Sequence, residues 1–449
     1  MVNPKINDTL ALINISQNRK SYPMTEPNRT QAPEIKINEA ISFKEVNKTQ
    51  LDNGILVHFL SGGTQDVLRL EFVFPAGVRF QSSALVARFT NNMLTEGTDN
   101  MTADEIAEEL DTYGAFIRKD YNRDTAQLSV FCLRKQLNKI LPVIADVLCH
   151  AIFPKEELDV LLSKGLQEHL VNMEKVAYLA RRKFTSVVFG SNHPYGSVAD
   201  PDDFNKVSES DLIQFYNNHY NLSFCQLFIS GNVTDDVIQT INNHVGQVEP
   251  LKVEAVSFQD VQPQPDSNKI HHVSKKGMQS AIRMGKTVCG KAHEDHIPLT
   301  ILNTVLGGYF GSRLMSNIRE DKGYTYGIGS GIIDFKDATL FIIATEVGNE
   351  VCENSIKEIH YEMNRLIQDK IHDDELELVR NYLYGTFMQS IDGPFSFMDR
   401  YRTLTLNGYD LSYYENYLET LKTISADQLQ ELAGKYLHPD SFYRVVAGA

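Results

Sequence analysis

The chain has 449 residues, 42% of them apolar and 22% charged, with a formal net charge of −15. Its length suggests roughly two to four domains, and its composition is that of an ordinary globular protein. The acidic balance argues against nucleic acid or an anionic membrane as a partner, and no stretch is long and apolar enough to span a bilayer.

The five cysteines, an odd number with no C-x-x-C pair, argue against a disulfide framework and fit a reducing compartment. The N-terminus shows neither a sustained apolar core nor a small-residue cleavage site. A cytoplasmic location is expected, or a periplasmic one where a signal has been removed.

Residues 1–40, with Pro23, Pro27 and Pro33, read as a polar leader. Residues 51–60 read as a hairpin around Asn53-Gly54, and residues 67–80 as a strand ended by Pro75-Ala76-Gly77. Residues 84–98, ALVARFTNNMLTEGT, form an amphipathic helix in which Leu85, Phe89 and Met93 recur at four-residue spacing and Gly97 is the stop. Residues 101–114 are a helix with a Thr102/Glu105 capping box. Two strands share residues 115–134, an apolar-faced helix covers 137–153, and 156–190 reads as helical throughout. A capped helix at 208–220 precedes a strand ending at Gly231, and residues 248–268, containing VQPQPDSN, read as a linker.

Beyond the linker the order of elements repeats. Strands at 270–273 and 280–288 lead to helices at 297–306 and 312–321, paired strands at 324–330 and 338–346, and helices at 352–369 and 373–390. The ends match best: residues 207–212 parallel 424–429, and 227–231 parallel 443–448. The two halves read as one α+β domain used twice.

Arg88, Asn91 and Asn92 share one helix face at i, i+3 and i+4, which is the spacing of H-x-x-E-H. Met93, Leu94, Gly97 and Thr98 keep the frame around it. The run resembles the first motif of the pitrilysin/insulinase-like zinc peptidases, a family that includes the mitochondrial processing peptidases and the respiratory core proteins. All three chemical positions are replaced. Arg88 is permanently protonated and has no lone pair to give. Asn91 takes no proton near neutral pH, and Asn92 offers only an amide oxygen, a poor zinc ligand. The family's third ligand, a Glu about 76 residues beyond the second His, falls on Glu168. One carboxylate without its partners holds no zinc, and an exposed helix glutamate is the plainer reading.

Residues 302–331, LNTVLGGYFGSRLMSNIREDKGYTYGIGSG, closely resemble the C-terminal signature of the same family. The resemblance implies an Arg and a Tyr, seven residues apart, that bind the peptide and polarise its scissile carbonyl; these fall on Arg319 and Tyr326. A guanidinium can donate two bonds to carbonyl oxygens, and a phenol can donate to a developing oxyanion. Taken without the resemblance, Arg319 is a helix-end cation paired with Glu320 or Asp321, and Tyr326 is a half-buried strand tyrosine.

The resemblance implies an α+β fold of two homologous domains, each a mostly antiparallel sheet covered by helices, enclosing a chamber. The domains would span residues 41–247 and 269–449. It further implies a non-catalytic, peptide-binding subunit of a heterodimeric zinc metalloendopeptidase. This chain would bind no cofactor, and a homologous partner subunit would carry the zinc. A purely structural relative with no substrate is the alternative. Elsewhere, His293-Glu294-Asp295-His296 reads as surface, Gly285-Lys286-Thr287 as strand, and His193-Pro194-Tyr195-Gly196 as a structural turn.

Overall fold

The computed structural model describes residues 41–250 and 261–448, together with Thr30. The rest of the expected leader and the middle of the expected linker lie outside the described residues. The Asn53-Gly54 turn, with Gly54 at φ 93°, joins β1 (Asn47–Gln50) to β2 (Leu56–Ser61) as an antiparallel hairpin. β3 (Val67–Phe74) stops at Pro75. α1 (Val86–Met93) is shorter than its apolar pattern suggests, and α2 (Ala103–Thr112) opens on the Thr102/Glu105 capping box. β4 (Phe116–Tyr121) and β5 (Ala126–Leu133) pair as expected. α3 (Leu137–Cys149), α4 (Lys155–Met173) and α5 (Val176–Phe189) follow, then α6 (Glu209–His219), β6 (Gln226–Gly231) and α7 (Asp235–His244). The continuous helix expected over 156–190 is in fact two helices, because Lys175 takes an extended conformation (φ −92°, ψ 122°).

The second half runs β7 (Ile270–Ser274), β8 (Gln279–Val288) and α8 (His296–Asn303). Two π-helical turns, Thr304–Gly308 and Met315–Asp321, precede β9 (Thr325–Asp334) and β10 (Thr339–Gly348). Then come α9 (Cys352–Gln368), α10 (Asp373–Ser390), α11 (Gly393–Leu406), α12 (Ser412–Thr423), α13 (Ala426–Tyr436) and β11 (Tyr443–Gly448).

The strands form one six-stranded sheet, β1-β2-β6-β3-β5-β4, and one five-stranded sheet, β7-β11-β8-β10-β9. Without β1 the two orders correspond strand for strand. Each has a single parallel pair, β2 with β6 and β7 with β11, in an otherwise antiparallel sheet. β4 and β9 are the matching free edges. No helix among the described residues is long and apolar enough to cross a membrane.

Each sheet is also covered by a helix from the other half. Phe184, Val187, Val188 and Phe189 of α5 pack with Leu340 and Val445 of the second sheet. Ala180 meets Ala281 and Ala447, small side chains that let the helix lie close. A Cβ on Gly285 would stand 2.8 Å from the Phe184 ring, so glycine is needed beneath it. In return, Phe397, Met398 and Tyr401 of α11 pack with Leu60, Val73 and Phe228 of the first sheet.

Phe184 is fully buried at this junction. Phe184→Ala is expected to lower the unfolding free energy by about 3–5 kcal/mol in a urea titration, and a loss under about 1 kcal/mol would show that α5 does not hold the halves together.

His58 lies under α11, stacked on Phe228 with centroids 4.7 Å apart and with Nδ1 2.9 Å from the Tyr401 hydroxyl. Burial, reinforced by Lys48, brings its pKa from 6.5 down to about 4 against a smaller opposing influence of Gln226. The folded state therefore holds neutral imidazole. Its contribution is complete above pH 6.5 and is lost as the pH falls to about 4. Between neutral pH and about pH 4.5 the native chain should lose on the order of 2–3 kcal/mol more than His58→Gln. Parallel pH profiles of the two proteins would contradict this.

Candidate functional site

α1 begins at Leu85, a non-glycine residue in the left-handed region (φ 75°), a conformation that costs of order 1 kcal/mol and tends to mark functional segments. The Gln81 side chain accepts a bond from the Ala87 N–H (3.3 Å) and satisfies one of the helix's free donors. The apolar side of α1, with Phe89 and Met93, belongs to the first core. Gly165 of α4 faces Phe89 and Phe204 so closely that a Cβ there would stand 3.0 and 3.1 Å from their rings. That approach brings Glu168 beside Arg88.

Arg88 and Glu168 form an ion pair, Nη2 to Oε2 at 3.4 Å, with side chains 29% and 53% exposed. A pair this exposed contributes at most about 1 kcal/mol. Asn91 is fully buried and donates from Nδ2 to the Tyr220 hydroxyl at 3.1 Å, while its Oδ1 has no partner. The backbone carbonyl of Asn92 accepts from the Lys119 ammonium, which also reaches Thr95 Oγ1 at 2.6 Å. Burial draws the Lys119 pKa down, opposed by Glu96.

The fold brings Glu168 beside Arg88, while Asn91 is turned into the core onto Tyr220 and Asn92 is engaged through its backbone carbonyl. These groups do not fit zinc. A guanidinium occupies the carboxylate, a buried amide is committed to a phenol, and among the described residues no three His, Cys, Asp or Glu side chains cluster as a metal site.

Arg319 and Tyr326 meet on the second sheet. The π-helical turn carrying Arg319 ends at Gly323, in the left-handed region at φ 64°, with the Gly323 and Tyr324 N–H groups bonded to the Arg319 and Ile318 carbonyls. The chain then enters edge strand β9, where Thr325 pairs with Val347 and Ile328 with Thr345. Tyr326 and Gly327 together oppose Glu346, a bulge that aims Tyr326 outward. Tyr326 is 91% exposed. The Arg319 guanidinium carbon lies 5.0 Å from its ring centroid and 4.8 Å from that of Phe310. Both plainer readings fail here. Neither Glu320 nor Asp321 forms an ion pair with Arg319 among the described residues, and Tyr326 is not half-buried. Phe310, the second wall of the stack, had no signal of its own beyond an aromatic residue inside the glycine-rich run.

The two groups line different clefts. Arg88 lines one of about 560 Å³ over α1 and α5, and Tyr326 one of about 550 Å³ along β9 and β10. The other motifs are structural. His296 is buried rather than at the surface, with Nε2 2.9 Å from Asp334 Oδ1 and Nδ1 2.9 Å from the Tyr413 hydroxyl. Although burial opposes it, contact with His296 and Lys291 holds the Asp334 carboxyl well below the usual carboxylate range. Tyr195 is buried and donates to Asp124 at 2.6 Å.

Residues 64–201 match the family profile described as Insulinase (Peptidase family M16), and residues 206–383 the profile described as Peptidase M16 inactive domain. The chain is similar to the uncharacterized zinc protease YmxG of Bacillus subtilis, 24% identical over 363 residues, covering 79% of this chain and 87% of the relative. It is similar to an uncharacterized zinc protease of Rickettsia felis, 23% identical over 357 residues, covering 77% and 83%. Two solved structures share the fold. The peptidase M16 inactive domain from Pseudomonas fluorescens has a TM-score of 0.81 at 21% identity, covering 90% of this chain and 98% of that one. A protease from Helicobacter pylori has a TM-score of 0.82 at 17% identity, covering 90% and 99%. With the two profiles together spanning well over half of its length, the chain belongs to the insulinase-like M16 peptidase family.

Proposed function

We propose that this chain is the non-catalytic, peptide-binding subunit of a heterodimeric zinc metalloendopeptidase. A homologous partner subunit supplies H-x-x-E-H, the zinc and the general base. This chain supplies Arg319 and Tyr326. One contrast carries the reading: the zinc-motif positions hold an arginine paired to Glu168 and a buried amide, while Arg319 is half-buried with no ion pair among the described residues and stands against a solvent-exposed Tyr326. Contact with the two rings restrains the guanidinium without using its N–H groups, which remain for substrate carbonyl oxygens. The Tyr326 hydroxyl would donate to the oxyanion that develops at the partner's metal. The free edges β4 and β9 suit a substrate that adds as an extended strand.

Assembled with a zinc-bearing relative from the same genome, the chain should restore peptide hydrolysis. Tyr326→Phe should then lower kcat by about 10²–10³, the usual cost of one lost oxyanion donor, and Arg319→Ala should lower kcat/KM, both with zinc content unchanged. Full turnover in both variants would overturn the assignment.

Zinc measurements on the isolated chain address the other half of the proposal. The native chain should retain no stoichiometric zinc after dialysis. Arg88→His combined with Asn92→His should gain it, using Glu168 as third ligand, and adding Glu168→Gln should abolish the gain. Stoichiometric zinc in the native protein would sink the non-catalytic reading.

A further inference from the structure

We propose that the cleft over α1 and α5 is a subsite for an acidic side chain of a bound peptide, an inference that rests on the peptide-binding reading above. Four arginines line it, Arg88, Arg123, Arg181 and Arg182, and none of its described lining residues is an acid. This concentration of positive charge sits on a chain of net charge −15, where a chance patch would be acidic.

Neighbouring carboxylates neutralise only part of the cluster. Glu168 pairs with Arg88 and Asp200 with Arg182, both from outside the lining, with side chains 53% and 70% exposed. Arg123 is held by two carbonyls, those of Pro194 at 3.1 Å and Ser197 at 3.3 Å. Arg181 is exposed, lies over the Tyr178 ring at 5.4 Å and has no ion-pair partner among the described residues. About two positive charges are therefore left over in a partly enclosed space. Burial, and the repulsion of Arg181, draw the Arg123 pKa down although Tyr121 and Asp124 oppose this.

A second observation also calls for an acceptor. His169 lines the cleft and is 5% exposed. Its Nδ1 lies 3.1 Å from the Tyr178 hydroxyl, and its Nε2 has no partner. The roles in this contact depend on the tautomer; where the hydroxyl donates to Nδ1, Nε2 is a buried donor without an acceptor. The uncompensated arginines are donors only, and a carboxylate is the acceptor-only side chain that answers them. A polyanion is disfavoured by the charge of the rest of the chain. A peptide is favoured by position: Arg181 follows Ala180, which packs on Ala281 of β8, and Arg283 of the same strand lines the cleft containing Tyr326.

The test uses the full chain and two C-terminally amidated, fluorescently labelled decapeptides that differ only by Glu in place of Gln. By anisotropy at low ionic strength the Glu peptide should bind about tenfold tighter, with the ratio shrinking as salt is added. Arg181→Gln alters an exposed side chain, so the fold is retained, and it should bring the ratio close to one. Arg319→Ala should weaken both peptides alike and leave the ratio intact. Equal affinities, a ratio unchanged by Arg181→Gln, or binding of neither peptide overturns the subsite. So does tight binding of the Gln peptide once its C-terminal carboxylate is freed, which would assign the cleft to chain ends. An intact ratio with no effect of Arg319→Ala upholds the subsite and removes the peptide role of Arg319.

Discussion

The fold depends on an exchange of helices. α5 leaves the half that encodes it and covers the second sheet, and α11 does the same for the first. Neither sheet can bury its face alone, so the halves cannot separate without exposing Phe184, Phe189, Phe397 and Met398. Charges set the register of the exchange. Arg69 bridges Glu71 and Asp399 at 3.1 and 3.0 Å, and Arg402 of α11 contacts the same two carboxylates. Burial holds the Glu71 pKa up even beside two guanidinium groups. Such a network adds little net stability, but breaking it strands a buried charge, so it discriminates against other docking geometries.

α1 is held by its apolar side, through Phe89 and Met93 in the first core. Arg88 places one fixed positive charge next to Glu168. Satisfaction around it is incomplete, since Asn91 Oδ1 and His169 Nε2 are buried without partners. Groups left unsatisfied in a buried site are costly. This region is therefore not ordinary core.

Local chemistry was the legible part of the sequence. The Asn53-Gly54 turn, the Thr102/Glu105 box and the alternation of β4 with β5 follow from near-neighbour rules, the repeat of strand order follows from the matching element order of the two halves, and each is present. Long-range packing was not legible. Nothing at Glu174-Lys175 is a helix breaker, and the helix ends there because α5 must turn to reach the other sheet. α11 and α12 passed unread, the first opened by Gly393-Pro394 and neither strongly amphipathic around a single core. Among the proposed site residues, the family frame pointed to Arg319 and Tyr326. It gave no hint of Phe310, or of the Arg123 and Arg181 cluster, whose members come together only through tertiary structure.

Arg313 and Arg319 lie on one short segment and show what separates a structural arginine from an available one. Arg313 is locked by a bidentate pair, Nε and Nη2 to the Glu375 carboxylate at 2.9 and 2.8 Å, with its side chain 10% exposed. Nε and Nη2 are committed, Nη1 is buried without a partner, and the side chain's place is fixed against α10. Arg319 has no carboxylate among the described residues, only the rings of Phe310 and Tyr326 within 5.0 Å of its guanidinium carbon. Rings restrict a guanidinium without consuming its N–H donors. The side chain is thereby ordered in advance, and the rotamer entropy of ordering it is not charged against whatever it binds. Phe310 and Tyr326 are 61% and 91% exposed, so the stack keeps apolar surface in water while it waits. The Arg313 arrangement ties its segment to α10; the Arg319 arrangement leaves N–H donors uncommitted, as the proposed peptide-binding role requires.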